Sequence, residues 1–229
     1  MLLGACSTRP SPVPRAEPSP ASAVTAAPPA TGRYLALGDS FTIGTGSTPA
    51  QSFAARLVDR WAAGGCTLTL ENVAVNGYTT DDLIERQLPS LATFRPTFVT
   101  LAIGANDIVR GRGVETYREN VRRILDAAAA TGARVMVLPQ PDWSRSPTAA
   151  SFGTQAALAA SIVELNDVLA TEARAKGATF VDLGPLMRQQ ALQGQLASDG
   201  LHPSAEAYDA WAAQIATSQP PPCAADSGR

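Results

Sequence analysis

The sequence is poor in histidine, lysine and cysteine, and each shortage removes a class of function. His202 is the one histidine, so a zinc site built from several histidines of a single chain is excluded. Cys6, Cys66 and Cys223 are the three cysteines, and none stands in the C-x-x-C spacing of a metal knuckle or a redox dithiol. A metalloenzyme is therefore not expected. Lys176 is the only lysine among 18 basic residues, and the formal net charge is −2. That balance offers no basic field for nucleic acid. No apolar run approaches the ~18 residues of a membrane helix.

What remains is ordinary for a globular chain. The 229 residues are 45% hydrophobic and 17% charged, enough to bury one substantial core. Residues 1–31 stand apart. From Ser7 to Thr31 the chain is rich in Pro, Ala, Ser and Thr, with too little apolar surface to offset the entropy of ordering. This stretch reads as a disordered tether. Just before it, Leu3-Gly4-Ala5-Cys6 resembles a bacterial lipobox, in which the cysteine accepts a lipid. Little of the leader that usually precedes such a box stands before Leu3, so the segment is read as a truncated signal. Lipidation of Cys6 would tether the protein to a membrane at the cell envelope; otherwise the expected location is secreted. One domain is expected over residues 32–218, followed by a short tail, 219–229.

From Arg33 onward, strand and helix patterns alternate. Strands are expected at Tyr34–Leu37, Leu68–Val75, Phe98–Ile103, Arg134–Leu138 and Thr179–Leu183. Helices are expected at Ser52–Ala63, Asp81–Leu91 with Asp81 as its cap, Val114–Ala130, Gln155–Ala175 and Ala205–Ala216. Uniformly apolar strands alternating with helices imply an α/β fold of three layers, α/β/α. Its five-stranded parallel sheet is covered on both faces. The expected strand order is 2-1-3-4-5, and sites in such sheets lie beyond the carboxyl ends of the strands.

Those ends carry the informative residues. The first strand enters Gly38-Asp39-Ser40, the second enters Asn76-Gly77, and the third enters Gly104-Ala105-Asn106-Asp107. After the fifth comes Asp199-Gly200-Leu201-His202-Pro203. Each block is short and weak alone. Four in this order, each at an expected strand end or loop, resemble the blocks of the SGNH (GDSL) hydrolases over roughly Tyr34 to Ala216. The resemblance implies a serine ester hydrolase that needs no metal or organic cofactor, with Ser40 as nucleophile and Asp199 and His202 completing a triad. It also implies an oxyanion hole made by the Ser40 N–H, the Gly77 N–H and the Asn106 side chain. The chemistry of the residues agrees. Serine needs a base to take its proton, and His202 is the only imidazole available. Asp199, three residues earlier, suits the role of orienting it. Asp39 and Asp107 are assigned to holding turns together. Asp182, at the end of the fifth strand, lies at the wrong spacing for the triad acid.

Three further expectations follow. The segment Gln140–Thr154, with Trp143 and Phe152, either walls an acyl pocket or covers the neighbouring helix. Cys66 and Cys223 follow the first and last helices. These lie side by side on one face of a 2-1-3-4-5 sheet and end opposite the site, so a disulfide between them is expected in an oxidising compartment. The substrate is expected to be a small or exposed acyl ester, such as an acylated polysaccharide. A lipid ester, as for a lysophospholipase, a thioester, or transfer to another alcohol by the same triad remains open. A non-catalytic surface-binding protein of the same fold and a flavin protein of the flavodoxin-like order are the rivals from other classes. The latter would need several Ser/Thr donors in the loop after strand one.

Overall fold

The computed structural model describes residues 30–223. Cys6 and its proposed lipid attachment lie outside them, as does most of the Pro-rich segment. Five strands form one parallel sheet: β1 (Ala30–Gly38), β2 (Cys66–Asn72), β3 (Phe98–Ala102), β4 (Arg134–Val137) and β5 (Thr179–Phe180). Their order is β2-β1-β3-β4-β5, as the sequence pattern implies. In the central register Leu37 pairs with Leu101 and Leu101 with Val137, while Gly38 pairs with Ala102.

Side-chain alternation along the strands divides the core. Tyr34, Ala36, Phe98 and Met136 face one layer, and Leu35, Leu37, Val99, Leu101, Val135 and Val137 face the other. Both sets are buried, which is why these strands read as continuous apolar runs. The first layer is built by α2 (Phe53–Ala63), through Phe53, Leu57 and Trp61. Tyr208, Trp211 and Ile215 of the last helix, α9 (Ala205–Ser218), pack beside them. The second layer is built chiefly by α6 (Val114–Ala129) and α7 (Gln155–Ala175). A fully buried Leu or Phe in either layer contributes about 1.5–3 kcal/mol relative to exposure.

Shorter elements complete the fold: α1 (Ser40–Ile43), α3 (Thr80–Arg86), α4 (Pro89–Phe94), α5 (Ala105–Val109) and α8 (Gly184–Leu192). The expected helix Asp81–Leu91 is thus two helices, and its cap is Thr79 rather than Asp81. Thr79 and Asp82 form a reciprocal capping box, with Asp82 Oδ2 accepting from the Thr79 N–H at 3.0 Å. Pro89, which lacks an N–H and crowds the preceding turn, starts the second helix. The fifth strand is also shorter than the apolar run Thr179–Leu183 suggests.

At the amino end of the sheet Cys66 and Cys223 are joined by a disulfide, with Cα atoms 5.5 Å apart. Among the described residues no helix is long and apolar enough to cross a membrane.

Candidate active site

The turn that carries Ser40 is held by buried polar groups. Gln87 is buried, and its side-chain amide accepts the Gly38 N–H at 2.9 Å and donates to the Gly38 carbonyl at 2.7 Å. One side chain thus satisfies both backbone groups where β1 stops. The next residue, Asp39, accepts the Phe41 N–H on Oδ1 at 3.0 Å, and its carbonyl accepts from Thr42 and Ile43. These bonds wind α1 with Ser40 in its first position, and they leave the Ser40 N–H out of the turn's own bonding. Ser40 is 7% exposed. Burial pushes the Asp39 carboxyl up to about 7, against the Phe41 N–H and with help from the charge of Asp107. Its Oδ2 has no hydrogen-bond partner. Asp39 therefore serves the turn as a structural residue.

The second and third blocks meet beside it. After β2, the Tyr78 N–H closes a turn on the Val75 carbonyl at 3.3 Å, with Gly77 at φ +80°. A side chain at that angle is strained although the space around it is empty, so glycine fits. Asn106 on α5 donates from Nδ2 to the Tyr78 carbonyl at 3.0 Å. Its neighbour Asp107 is fully buried and accepts from the Thr80 N–H at 3.1 Å and the Thr80 hydroxyl at 2.6 Å. Burial raises its carboxyl to about 6 despite those bonds. The Thr45 hydroxyl donates to Asn76 Oδ1 at 2.6 Å and joins the loop after α1 to the loop of Gly77.

The fourth block folds around one carboxylate. Asp199 Oδ1 accepts the N–H groups of Leu201 and His202, both at 2.9 Å, and Oδ2 lies 2.7 Å from His202 Nδ1. Burial opposes this charge, but the two N–H groups and the imidazole outweigh it and hold the Asp199 carboxyl below its usual range. The His202 ring packs against the Phe41 ring, centroids 5.2 Å apart, beside Ser40 in sequence. Gly46, at φ +92°, lies flush against this loop. A Cβ there would come within 3.1 Å of the His202 Cβ.

The segment Gln140–Thr154 has a part that the sequence did not reveal. The Thr148 hydroxyl donates to the Asp199 carbonyl at 2.9 Å and the Thr148 N–H to the Gly200 carbonyl at 3.3 Å. This segment therefore buttresses the Asp199–His202 loop. Trp143 is buried and lines a small apolar cavity with Phe41, Met187, Leu201, Pro203 and Trp211. Phe152 is exposed and meets the Trp143 ring edge-on at 6.1 Å. Asp182 is exposed, and its carboxylate accepts the Gly184 N–H at 2.8 Å within its own turn. Gln87 and Thr148 carry no signal in a single sequence, because each acts through main-chain groups of distant residues. The four blocks are thus gathered beyond the carboxyl edge of the sheet. A hydroxyl, an imidazole–carboxylate pair and a set of turn and amide donors are the parts that acyl transfer uses.

Residues 36–210 match the model of the GDSL-like Lipase/Acylhydrolase family. The esterase TesA of Pseudomonas aeruginosa is 30% identical over 104 residues, which are 45% of this chain and 52% of that protein. An arylesterase of Vibrio mimicus is 28% identical over 115 residues, 50% of this chain and 58% of that protein. The chain thus spans about half the length of the curated relatives it matches. A crystal structure of TesA superposes with a TM-score of 0.68 at 25% identity, covering 83% of this chain and 99% of that one. A lipase/acylhydrolase from Enterococcus faecalis gives 0.67 at 25% identity, covering 81% and 94%. The match over residues 36–210, on a sheet of the order that these blocks imply, shows that the chain belongs to the GDSL-like lipase/acylhydrolase family.

Proposed function

We propose that the protein hydrolyses carboxylic esters of small or exposed acyl groups through an acyl-serine intermediate. One observation carries this reading. The 2.7 Å contact between Asp199 Oδ2 and His202 Nδ1 sits on a loop whose imidazole packs on Phe41, next to Ser40. Asp199, an acceptor only, selects the tautomer with a proton on Nδ1 and leaves Nε2 as the base. Nε2 takes the hydroxyl proton as Ser40 Oγ attacks the carbonyl carbon, and the carbonyl electron pair moves onto oxygen. Collapse of this adduct breaks the ester C–O bond, and the alcohol leaves with the proton from His202. Water then attacks the acyl-serine by the same steps, releasing the acid and restoring Ser40.

The oxyanion takes hydrogen bonds from the Ser40 and Gly77 N–H groups and from Asn106. The Asn106 amide has two hydrogens, of which one is given to the Tyr78 carbonyl and the other serves the oxyanion. Small or exposed acyl groups are supported by the arylesterase among the relatives, and an open hollow lies between the loop after α1 and the loop of Asn76, next to but not lined by Ser40 or His202. It holds about 500 Å³ and is lined by Gly44, Thr45, Gly46, Ala74, Val75 and Asn76. An extracytoplasmic location belongs to the same proposal and is supported by the Cys66–Cys223 bond, since such bonds persist in oxidising compartments.

Hydrolysis of p-nitrophenyl acetate, butyrate, octanoate and palmitate by the wild type and Ser40→Ala tests the reading. The acetate and butyrate esters are expected to turn over fastest. A preference for palmitate would shift the substrate to lipid esters, and a glycerol ester formed in the presence of glycerol would reveal acyl transfer.

A further inference from the structure

Gly77 offers its N–H to an oxyanion only if its loop is held still, and a glycine turn with open space around it does not hold itself. Besides the turn bond from the Tyr78 N–H to the Val75 carbonyl and the Thr45–Asn76 bond, the side of the loop that carries the Gly77 and Tyr78 carbonyls is restrained from α5 and its C-terminal cap. Arg110 is the residue that caps the carboxyl end of α5, its N–H bonded to the Asn106 carbonyl, so it stands one turn above Asn106 and the two side chains leave on the same side. They take consecutive carbonyls of the loop. Arg110 Nη2 donates to the Gly77 carbonyl at 2.8 Å, and Asn106 Nδ2 donates to the Tyr78 carbonyl at 3.0 Å. The guanidinium is anchored in turn. Its Nη1 lies 3.5 Å from Asp82 Oδ2, the same oxygen that accepts the Thr79 N–H and the Thr79 hydroxyl in the capping box of α3. One planar cation thus ties the start of the loop, Gly77, to the helix that follows it. Arginine suits this task because its donors leave in a fixed fork.

We propose that Arg110 is a positioning residue for the oxyanion hole, acting through the Gly77 carbonyl. The proposal rests on the acyl-serine reading given above. It assigns Arg110 no contact with substrate. Its role is to fix the peptide between Gly77 and Tyr78 and so to narrow the directions in which the Gly77 N–H points. A loosened donor weakens transition-state binding and leaves ground-state binding almost untouched.

A second ion pair supplies the control. Arg112 Nη2 lies 2.8 Å from Asp81 Oδ2, linking the segment after α5 to α3 with similar exposure but without touching a loop carbonyl. The test compares wild type, Arg110→Ala, Arg110→Lys, Arg112→Ala and Ser40→Ala on p-nitrophenyl acetate, with melting temperatures. Arg110→Ala is expected to lose on the order of 10-fold or more in kcat, with KM within about two-fold and little change in melting temperature. Arg110→Lys recovers part of the loss, as does free guanidinium added to Arg110→Ala. The affinity of an alkyl boronic acid, which mimics the tetrahedral adduct, falls by the same factor as kcat/KM. Arg112→Ala stays at the wild-type rate. An unchanged kcat in Arg110→Ala, a loss confined to KM, or equal losses in Arg110→Ala and Arg112→Ala overturns the role of Arg110. Wild-type activity in Ser40→Ala instead overturns the acyl-serine reading on which it rests, so the two failures are distinct.

Discussion

Asp39 and Asp199 flank the proposed site, and their surroundings push them in opposite directions. Asp199 has two backbone N–H groups and an imidazole for its charge, and its carboxyl lies below the usual range. It therefore supports the fold above the usual carboxylate pKa and loses that support as pH falls. Asp39 is buried with one oxygen unpartnered, and its carboxyl is raised to about 7. Between the unfolded value near 3.8 and about 7, the folded chain holds a proton that the unfolded chain has released. Stability from this group is thus lost as pH rises through that window. Asp39→Asn keeps an oxygen for the Phe41 N–H and has no proton to lose. Thermal melts from pH 4 to pH 7 are expected to show the variant gaining on the wild type as pH rises, by at most about 1.4 kcal/mol per pH unit. A constant difference across the range would refute the assignment. The sequence identified Asp39 as a turn residue because short carboxylates cap turns. It did not reveal the elevated pKa, since burial comes from residues remote in the chain.

At the scale of elements, long segments were legible and short ones were not. α6 and α7 span several turns and declare themselves by apolar spacing. α1 and α5 are about one turn long, too short to show a period, yet they carry Ser40 and Asn106. Without α5 as a helix, nothing in the sequence places Arg110 beside Asn106. The division between α3 and α4 falls just before Pro89, which the single helix expected over Asp81–Leu91 runs through, and it has a purpose visible only in three dimensions. Gln87 sits in the break, where its side chain reaches the Gly38 backbone. Gln87→Leu removes both bonds: the Gly38 N–H at the edge of the Ser40 turn is left without its partner, and the Gly38 carbonyl keeps only the long 3.4 Å bond from the Val75 N–H. A loss of about 2–4 kcal/mol in unfolding free energy is expected. Because the turn loosens, kcat on p-nitrophenyl acetate falls as well. Denaturant titration showing less than half a kcal/mol of change would show that water or a neighbour replaces the amide.

At the scale of the whole molecule, the topology separates the proposed site from the fastening of the chain's end. Parallel strands bring Ser40, Gly77, Asn106 and the Asp199–His202 loop to the carboxyl edge of the sheet. The same topology brings the ends of α2 and α9 to the opposite edge, where Cys66 and Cys223 are bonded. This much followed from alternating apolar segments and the order they imply. The bond joins residues 157 positions apart in the chain, and removing it by Cys66→Ser with Cys223→Ser is expected to cost about 2–5 kcal/mol in stability. Because the bond lies away from the site, kcat at 25 °C should stay within two-fold of wild type. A large fall in kcat without unfolding would mean that the two edges are coupled.

The acyl-serine reading stands or falls on Ser40. Its most direct test is the steady-state rate of p-nitrophenyl acetate hydrolysis by purified wild type and Ser40→Ala, both shown to be folded by their melting curves. The account predicts turnover by the wild type and a rate lower by a factor on the order of 10³ or more in the variant. Equal rates in the two folded proteins would contradict it and remove Ser40 from the chemistry.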